Sequence, residues 1–336
     1  MSLYTAETRR LVKRRFVKLL VIGTLAILAA VVVGMYFSNQ KLGPAQIADA
    51  KVQAQHEYEE QTRQVALERQ RCEAAAGTPE AANYPQDCAE IIGPSPSDIG
   101  PEAFLPPTFD FRQNFGPMVI TLAALLALMA FVMGASFVGA EWHSGGMMNL
   151  LLWRPRRIQV LSTKLLAVLV GLTALTAVIA AVWTGLFTLV ARQRGSLAGM
   201  TAGAWRSFAL MEVRALVLVL VLGAVGFGLA SIGRHTAMAL GVAIAVIVLF
   251  QFGLGIVLSQ VRVKFVEAYL IPTWIDAWLQ KKTVLQNFDS CNFSAVNGCQ
   301  PDTMTITWPM AGGVLALIFV AVVGAAMWTM RTRDIT

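Results

Sequence analysis

The stretch EWHSGGMMNLLLWRPRRIQVLSTK, residues 141–164, lies between two strongly apolar segments and is too polar to cross a membrane itself. It begins with a carboxylate at Glu141, continues through Gly145-Gly146 and a short apolar run, and then becomes basic. The two glycines are predicted to break the preceding helix, Met147–Trp153 to form a short helix along the membrane face, and Pro155 to end that helix. A loop of this composition between two spans offers a surface to a soluble partner. We therefore interpret the rest of the chain as the spans that this loop connects.

The composition excludes an ordinary soluble domain. Of 336 residues, 56% are hydrophobic and 14% are charged, whereas about 25% charged residues are typical of soluble domains. The apolar residues form long blocks, each near the roughly 20 residues that a helix needs to cross a bilayer. The first block, 16–37, is too long for the apolar core of a signal peptide and lacks a following cleavage site, so we predict it as a span.

We predict an all-α polytopic membrane protein with six transmembrane helices, at residues 16–37, 117–140, 160–190, 208–232, 236–259 and 307–330. Lys and Arg concentrate before the first span and in the 141–164 loop, and short loops rich in these residues stay in the cytoplasm. Both termini and this loop are therefore predicted inside. The predicted outer segments are 38–114, 191–207 and 260–306. The net charge of +7 then reflects topology, and nucleic acid is not an expected partner.

The first outer segment, 38–114, carries six Lys/Arg against twelve Asp/Glu. Residues 44–76 are polar, contain pairs such as Glu59 with Arg63 at helical spacing, and predict a solvated helix closed by Gly77-Thr78-Pro79. The chain to Pro107 is rich in Pro, Gly and Ser and is predicted to be irregular. With no convincing nucleophile–base pair, the segment is interpreted as a structural or gating lid.

The second outer segment, 260–306, begins with the aromatic stretch VKFVEAYLIPTWIDAWLQ. Trp and Tyr settle at membrane interfaces, so we expect helices that lie in the outer interface, with Pro272 breaking the run. Simple anchoring and a re-entrant hairpin that forms an outer gate both remain open as interpretations.

The four cysteines fall in these outer segments, as the pairs Cys72 with Cys88 and Cys291 with Cys299. Their spacing does not suit zinc or haem, and an oxidising exterior favours disulfides. We predict one disulfide in each pair.

The 141–164 loop resembles the loop between the second and third spans in permease subunits of type-2 ABC transporters, which are mostly bacterial exporters. The matching residues are Glu141, Gly145, Leu150, Leu151, Pro155, Arg157 and Lys164, whereas Gly146 and Arg156 depart from the pattern. The N-terminal stretch with Glu7, Arg10 and Arg14 is similar to the amphipathic elbow helix of this family. The resemblance implies the segments 1–37 (elbow and first span), 38–114 (extracellular), 115–259 (spans two to five), 260–306 (extracellular or re-entrant) and 307–336 (last span and tail).

The resemblance also implies a separate ATPase. The chain has no phosphate-binding loop, and the dipeptide Gly-Lys does not occur in it. ATP and Mg are therefore expected on the partner, with no cofactor on this chain. The partner would bind around Gly145–Trp153, including Met147, and the family assembles two permeases with two ATPases. A homodimer in the lipid of a bacterial cell membrane is the default, and a heterodimer with a sister permease is the alternative.

In the family the first, second and fifth spans line the transport path. Aromatic residues of these spans are Tyr36, Phe131, Phe137, Phe250 and Phe252. Such an apolar wall suits an amphipathic or lipid-like cargo, such as a drug, an antibiotic or a lipid, although packing alone also explains each residue.

Two other function classes remain open at this point. An ion- or proton-coupled carrier would need ionisable groups in the membrane, and the candidates are Glu212, Arg214 and Gln251, of which the first two are better explained as interfacial. A non-transporting envelope-stress or immunity sensor could use the same permease fold. Small residues recur in the fourth and fifth spans, including Gly223, Gly226 and Gly241, and favour tight packing over a sliding seam.

The disulfide prediction is tested directly by mass spectrometry of unreduced peptides. We expect one cross-linked pair from Cys72 with Cys88 and another from Cys291 with Cys299, because each pair lies within one predicted outer segment. Alkylation of any of the four thiols before reduction would contradict the prediction for that pair.

Overall fold

The structure, a computed structural model, describes residues 3–153, 156–287 and 300–332. Within these residues, six helices are long and apolar enough to cross a membrane: Arg15–Ser38, Phe111–His143, Arg157–Arg194, Ala202–Ile232, Thr236–Gln260 and Trp308–Thr332. Each of them contains the core of one predicted span. The prediction of an all-α polytopic membrane protein is therefore confirmed, although several helices extend beyond the apolar block that signalled them.

In chain order the helices are α1 (Leu3–Lys13), α2 (Arg15–Ser38), α3 (Pro44–Ala75), α4 (Phe111–His143), α5 (Gly146–Trp153), α6 (Arg157–Arg194), α7 (Ala202–Ile232), α8 (Thr236–Val246), α9 (Leu254–Gln260), α10 (Ile271–Gln280) and α11 (Trp308–Thr332). A π-helical stretch, Ile247–Gly253, joins α8 to α9 within the fifth span. Strand β1 (Phe109–Asp110) pairs in parallel with β2 (Gly195–Ser196), and β3 (Lys282–Asn287) pairs antiparallel with β4 (Asp302–Thr307).

The chain divides into two compact units. The larger contains residues 1–32, 112–187 and 199–336, and the smaller contains 33–111 and 188–198. The larger unit thus holds α1, α4, α5 and α7 to α11, and the smaller holds α3 with its following loop.

The core of the larger unit is a close crossing of α4 and α7. A Cβ atom added to Gly226 would collide with the backbone carbonyl of Phe131, and one added to Gly134 would collide with that of Gly223. Only glycine allows the two backbones to approach this closely. The predicted role of Gly223 and Gly226 in tight packing agrees with this arrangement. In contrast, Gly241 of the fifth span has nothing within 4 Å of its added Cβ.

An aromatic cluster fills one end of the same unit. The rings of Phe115 and Phe208 lie 5.2 Å apart, those of Phe115 and Phe187 6.1 Å, and those of Trp183 and Phe187 4.8 Å. Phe115 lies on α4, Trp183 and Phe187 on α6, and Phe208 on α7, and all four rings are buried or half-buried. The cluster therefore joins these three helices. Helix α11 packs on α7, where a Cβ on Gly228 would lie 2.7 Å from a methyl carbon of Val322.

The segment between α9 and α11 differs from the prediction in part. The aromatic run is interrupted at Leu270, between the 3-10 turn Val266–Tyr269 and α10. Pro272 lies in the first turn of α10, where its missing N–H has no helical partner to lose. The β3–β4 ribbon was not predicted. Its sequences KTVLQN and DTMTIT are short, contain four Thr and are only one third apolar, so they carry β propensity without a strongly hydrophobic run that would have revealed them.

The smaller unit is built on α3, which falls within the helix predicted over 44–76. Cys72 near its end is bonded to Cys88, with the two Cα atoms 5.8 Å apart. Arg69 Nε donates to the carbonyl of Ile91 at 2.9 Å, which holds the returning loop against the same helix. Short 3-10 turns, Pro79–Asn83, Cys88–Glu90 and Pro101–Phe104, occupy the stretch predicted to be irregular. Cys291 and Cys299 lie outside the described residues, so their pairing stays a prediction.

Substitution of Gly226 by Ala tests the helix crossing. The added methyl group would overlap the Phe131 carbonyl, so we expect a loss of roughly 1–3 kcal/mol of stability. Gly241→Ala is the matched control, because it adds the same methyl group to a membrane helix where the space is open. Thermal unfolding in detergent measures both, and equal melting temperatures would contradict the close crossing.

Candidate functional site

The predicted partner-binding loop folds as a sharp break followed by a short helix. Helix α4 ends at His143, and Gly145 has a φ of +72°, a left-handed conformation that glycine adopts without strain. The Gly145 N–H donates to the Trp142 carbonyl at 3.2 Å, and its own carbonyl accepts from Asn149 N–H at 3.2 Å. Gly145 therefore closes α4 and opens α5, which begins at Gly146, one residue earlier than predicted.

Helix α5 has a buried face and an exposed face. Met147 and Leu151, one helical turn apart, are buried, whereas Met148 is exposed and Leu152 is 83% exposed. Leu150 lies between these faces. A large apolar side chain left open at the end of a polar loop is a surface that a protein partner would cover. Pro155, predicted to end this helix, lies outside the described residues.

Lys164 occupies the centre of a buried charge cluster. It lies two turns inside α6, about 10 Å from the start of that helix, and its side chain is fully buried. Its Nζ atom is 2.8 Å from Oε2 of Glu7 and 2.6 Å from Oε2 of Glu141. Since a lysine inside a membrane span requires compensation of its charge, these two carboxylates explain how the chain tolerates it.

Arg14 forms the second half of this cluster. It lies between α1 and α2, and its Nη2 donates to Oε1 of Glu141 at 3.0 Å. Its Nη1 donates to the carbonyls of Ser136 and Phe137, at 3.1 Å and 3.0 Å. Glu141 is therefore shared by two cations, one from the N-terminal helices and one from α6.

The aromatic ring of Phe137 completes the cluster. The Arg14 guanidinium carbon lies 4.9 Å from its centroid, and Lys164 Nζ lies 5.5 Å from it. An aromatic face attracts cations at these distances. Phe137 was predicted to line a substrate path, but here its side chain is fully buried and packs against two charged groups.

We define Glu7, Arg14, Phe137, Glu141 and Lys164 as the inner charge cluster. Its two carboxylates and two cations balance, so no net charge is buried. Removing one partner of a buried ion pair typically costs about 3–5 kcal/mol, because the remaining charge is left without compensation. The cluster therefore acts as a joint that holds the N-terminal helices, α4 and α6 in one arrangement.

The end of α4 has further contacts on its other side. The Arg234 guanidinium lies 5.1 Å from the ring of Trp142, and the rings of His143 and His235 lie 5.0 Å apart. The turn between α7 and α8 thus packs against the last turn of α4. A cavity of about 470 Å³ separates the cluster from α5 and is lined by Arg10, Arg14, Glu141, Ser144, Gly146, Asn149 and Leu150.

The family model for "ABC-2 family transporter protein" matches residues 1–334, nearly the whole chain. The chain belongs to the ABC-2 transporter family. No curated protein matches its sequence. The resemblance inferred from the 141–164 loop is thereby confirmed, and this ABC-2 transporter is a multi-pass membrane transport component.

The predicted coupling and elbow residues of this ABC-2 transporter divide into two groups. Glu7, Arg14 and Glu141 meet in the inner charge cluster. The sequence analysis had assigned Glu7 and Arg14 to the elbow helix and Glu141 to the 141–164 loop. Arg10 lies at the edge of the cluster, where it is exposed and its Nη1 is 3.6 Å from Glu7 Oε1. Helix α5 begins with Gly146 and Met147 and also contains Leu150 and Leu151. Arg157 is half-buried at the start of α6.

The residues predicted to line a path have different surroundings in the structure. Phe131 and Phe137 are buried, whereas Phe250 and Phe252 are exposed on the π-helical part of the fifth span. Tyr36 is half-buried in the smaller unit, with the Arg194 guanidinium 4.3 Å from its ring centroid. The path itself stays a prediction, and in this conformation its second-span members serve packing.

Arg214, which the sequence analysis interpreted as interfacial, is held by hydrogen bonds within the chain. Its Nη1 donates to the carbonyls of Trp278 and Leu279 at the end of α10. Trp278 Nε1 donates back to the Arg214 carbonyl at 2.8 Å. Arg214 therefore fastens α10 to α7. Glu212, on the same helix, accepts a hydrogen bond from Thr184 of α6.

The sequence analysis singled out most members of the inner charge cluster, but it did not predict that they form ion pairs with one another. Lys164 was noted only as a match to the family pattern, and its partner Glu7 lies 157 residues earlier in the chain. No local spacing connects the two. The signal that could have found the pair is the position of Lys164 inside an apolar block, since such a lysine needs a carboxylate from elsewhere in the fold.

Replacing Lys164 with Met tests the cluster. The substitution would leave Glu7 and Glu141 buried with one cation fewer, so we expect a loss of about 3–5 kcal/mol. Lys264→Met is the control, because it removes a lysine from the exposed pair with Asp302, where the expected loss is about 0–1 kcal/mol. Thermal unfolding measures both variants. Adding Glu7→Gln to Lys164→Met should restore part of the stability, and equal melting temperatures of the two single variants would contradict the cluster.

Proposed function

We propose that this ABC-2 transporter is the membrane subunit of an ATP-driven exporter, and that a separate ATPase binds the exposed face of α5. The exposed Leu152 and Met148 supply an apolar contact for that partner. The sequence itself holds no phosphate-binding loop, which supports a nucleotide site with its Mg on another subunit. Membership in the ABC-2 family supports a partner of the ABC ATPase class.

The inner charge cluster carries this proposal, because it explains how a push on one short helix reaches several spans. Helix α5 follows α4 directly through Gly145, and Glu141 lies four residues before that glycine. Glu141 forms ion pairs with Lys164 of α6 and with Arg14 between α1 and α2. A displacement of α5 would therefore move α4 together with α6 and the N-terminal helices, since the ion pairs resist separation.

The assembly we propose contains two copies of this chain and two ATPases in a bacterial cell membrane, with both termini in the cytoplasm. A homodimer is the simplest arrangement, and a heterodimer with a related permease would use the same contacts. The fifth span supports a lipid-facing or subunit-facing role, because none of its most apolar stretch is buried within the chain. Its exposed Phe250 and Phe252 are compatible with an amphipathic or lipid-like cargo.

The test is co-purification of the chain with a candidate ABC ATPase from the same organism, together with the stimulation of ATP hydrolysis in proteoliposomes. Leu152→Asp should weaken the association by about tenfold or more, because it places a charge in the centre of an apolar contact. Ile92→Asp is the matched control, since Ile92 is 84% exposed but lies in the predicted outer segment.

A second variant separates binding from transmission. Gly145→Val would strain the left-handed turn between α4 and α5 while leaving the exposed face of α5 in place. We expect the ATPase to remain bound and its stimulation to fall. Unchanged association of the Leu152→Asp variant, with stimulation equal to that of the Ile92→Asp variant, would contradict the proposed docking surface.

A further inference from the structure

A cavity of about 380 Å³ lies at the opposite, predicted outer end of the larger unit, where α4, α7 and α10 meet. Three cationic side chains line it: Arg112 from the first turn of α4, Arg214 from α7 and Lys281 directly after α10. Gln113, Ser207 and Gln280 add polar groups. None of the described residues that line this cavity is an Asp or a Glu, in contrast to the cavity beside Glu141.

The acidic residues of α7 and α10 do not line the cavity and have hydrogen-bond partners of their own. Glu212 of α7 accepts a hydrogen bond from Thr184. Asp276 of α10 is hydrogen-bonded to the Gln280 side chain, and burial raises the pKa of its carboxyl group. Three like charges that face one small space repel each other, so the cavity favours an anion that would bring them into balance.

The cations retain hydrogen-bonding capacity for such an anion. Arg112 Nη1 donates to the Gly199 carbonyl at 3.3 Å, and Arg214 Nη1 donates to the end of α10. A guanidinium group has five N–H donors in a planar fork that matches phosphate and carboxylate oxygens. Lys281 is exposed and contributes a flexible ammonium group at the rim.

Lys281 occupies a backbone conformation that glycine would adopt more readily. Its φ is +77°, at the point where α10 ends and β3 begins. Its carbonyl accepts a hydrogen bond from Trp308 N–H at 2.8 Å, which ties this turn to the start of α11. A cationic side chain therefore occupies a position where the backbone conformation alone would favour glycine.

Neighbouring tryptophans favour a position of the cavity at the depth of lipid headgroups. The rings of Trp278 and Trp308 lie 6.2 Å apart, directly beside the residues that line it. Trp308 begins the last span, and tryptophan concentrates at the boundary between the acyl chains and water. Anionic headgroups at this boundary attract Lys and Arg.

We propose that this cavity binds the phosphate of an anionic lipid-like molecule, with Arg112 and Lys281 as its ligands and Arg214 as the fixed cation at its base. The site is distinct from the inner charge cluster, and its occupancy does not depend on an ATPase. The phosphate could be presented by a bilayer lipid or by a soluble phosphate ester, since both offer the same group to the three cations.

The experiment compares lipid binding by two variants of the full chain that carry the same net charge. Arg112→Gln with Lys281→Gln removes the two ligands. Arg206→Gln with Lys282→Gln is the matched control, because both residues are exposed and neither lines the cavity, although Arg206 is next to the lining residue Ser207 and Lys282 is next to Lys281. Native mass spectrometry of detergent-purified protein, titrated with phosphatidylglycerol or phosphatidylcholine, measures the affinities.

We expect the natural chain and the matched control to prefer phosphatidylglycerol, and the ligand variant to bind it about tenfold more weakly. When the ligand variant binds phosphatidylglycerol more weakly, displacement of the lipid by glycerol phosphate supports a site for the headgroup alone, and retention of the lipid supports a site that also holds the acyl chains. Equal binding by the two double variants, or equal binding of the two lipids by the natural chain, would overturn the proposal.

Lys281→Gly keeps the test valid if the double variant does not fold. The substitution removes one ligand and suits the positive φ at this position, so the melting temperature should be unchanged or higher. Phosphatidylglycerol affinity should nevertheless fall by several-fold. A stable Lys281→Gly variant with the affinity of the natural chain would likewise count against the site.

Discussion

The structure depends on the ammonium group of Lys164, which is buried inside a membrane helix. A charge in this position is tolerated only when carboxylates from other parts of the chain reach it. Glu7 comes from the helix before the first span and Glu141 from the end of the second, and both lie within 2.8 Å of the ammonium nitrogen. The requirement to compensate one lysine thus brings three distant segments to one place.

Arg14 extends this constraint to the first span. By bonding Glu141 and two carbonyls of α4, it fixes the joint between α1 and α2 against the second span. The short helix α5 leaves this compact joint through a single glycine. A rigid, charge-balanced joint beside an exposed apolar helix is the arrangement through which a soluble motor could move several spans together, and it is why we place the energy-coupling surface here.

The two ends of the larger unit differ in how their charged side chains are balanced. At the inner charge cluster, two cations meet two carboxylates, and the interaction is satisfied within the chain. At the cavity formed by α4, α7 and α10, three cations line a polar space without a carboxylate among the lining residues described. The first arrangement serves structural cohesion, whereas the second is suited to a ligand that supplies the missing negative charge. Arg214 also contributes to cohesion at this end, because it donates hydrogen bonds to the end of α10.

The sequence by itself determined the six spans, because the length and hydropathy of an apolar block are local properties, and the thickness of the bilayer sets the length that a spanning helix needs. It also determined the family, through the spacing from Glu141 to Lys164, and the break at Gly145 with the short helix after it. Only the tertiary structure decided which charges pair, that Phe137 packs beneath Arg14 and Lys164, and that Arg214 fastens α10 to α7. These contacts join residues dozens to more than a hundred positions apart, and the physical rule that a buried charge needs a partner does not reveal which partner the fold brings to it.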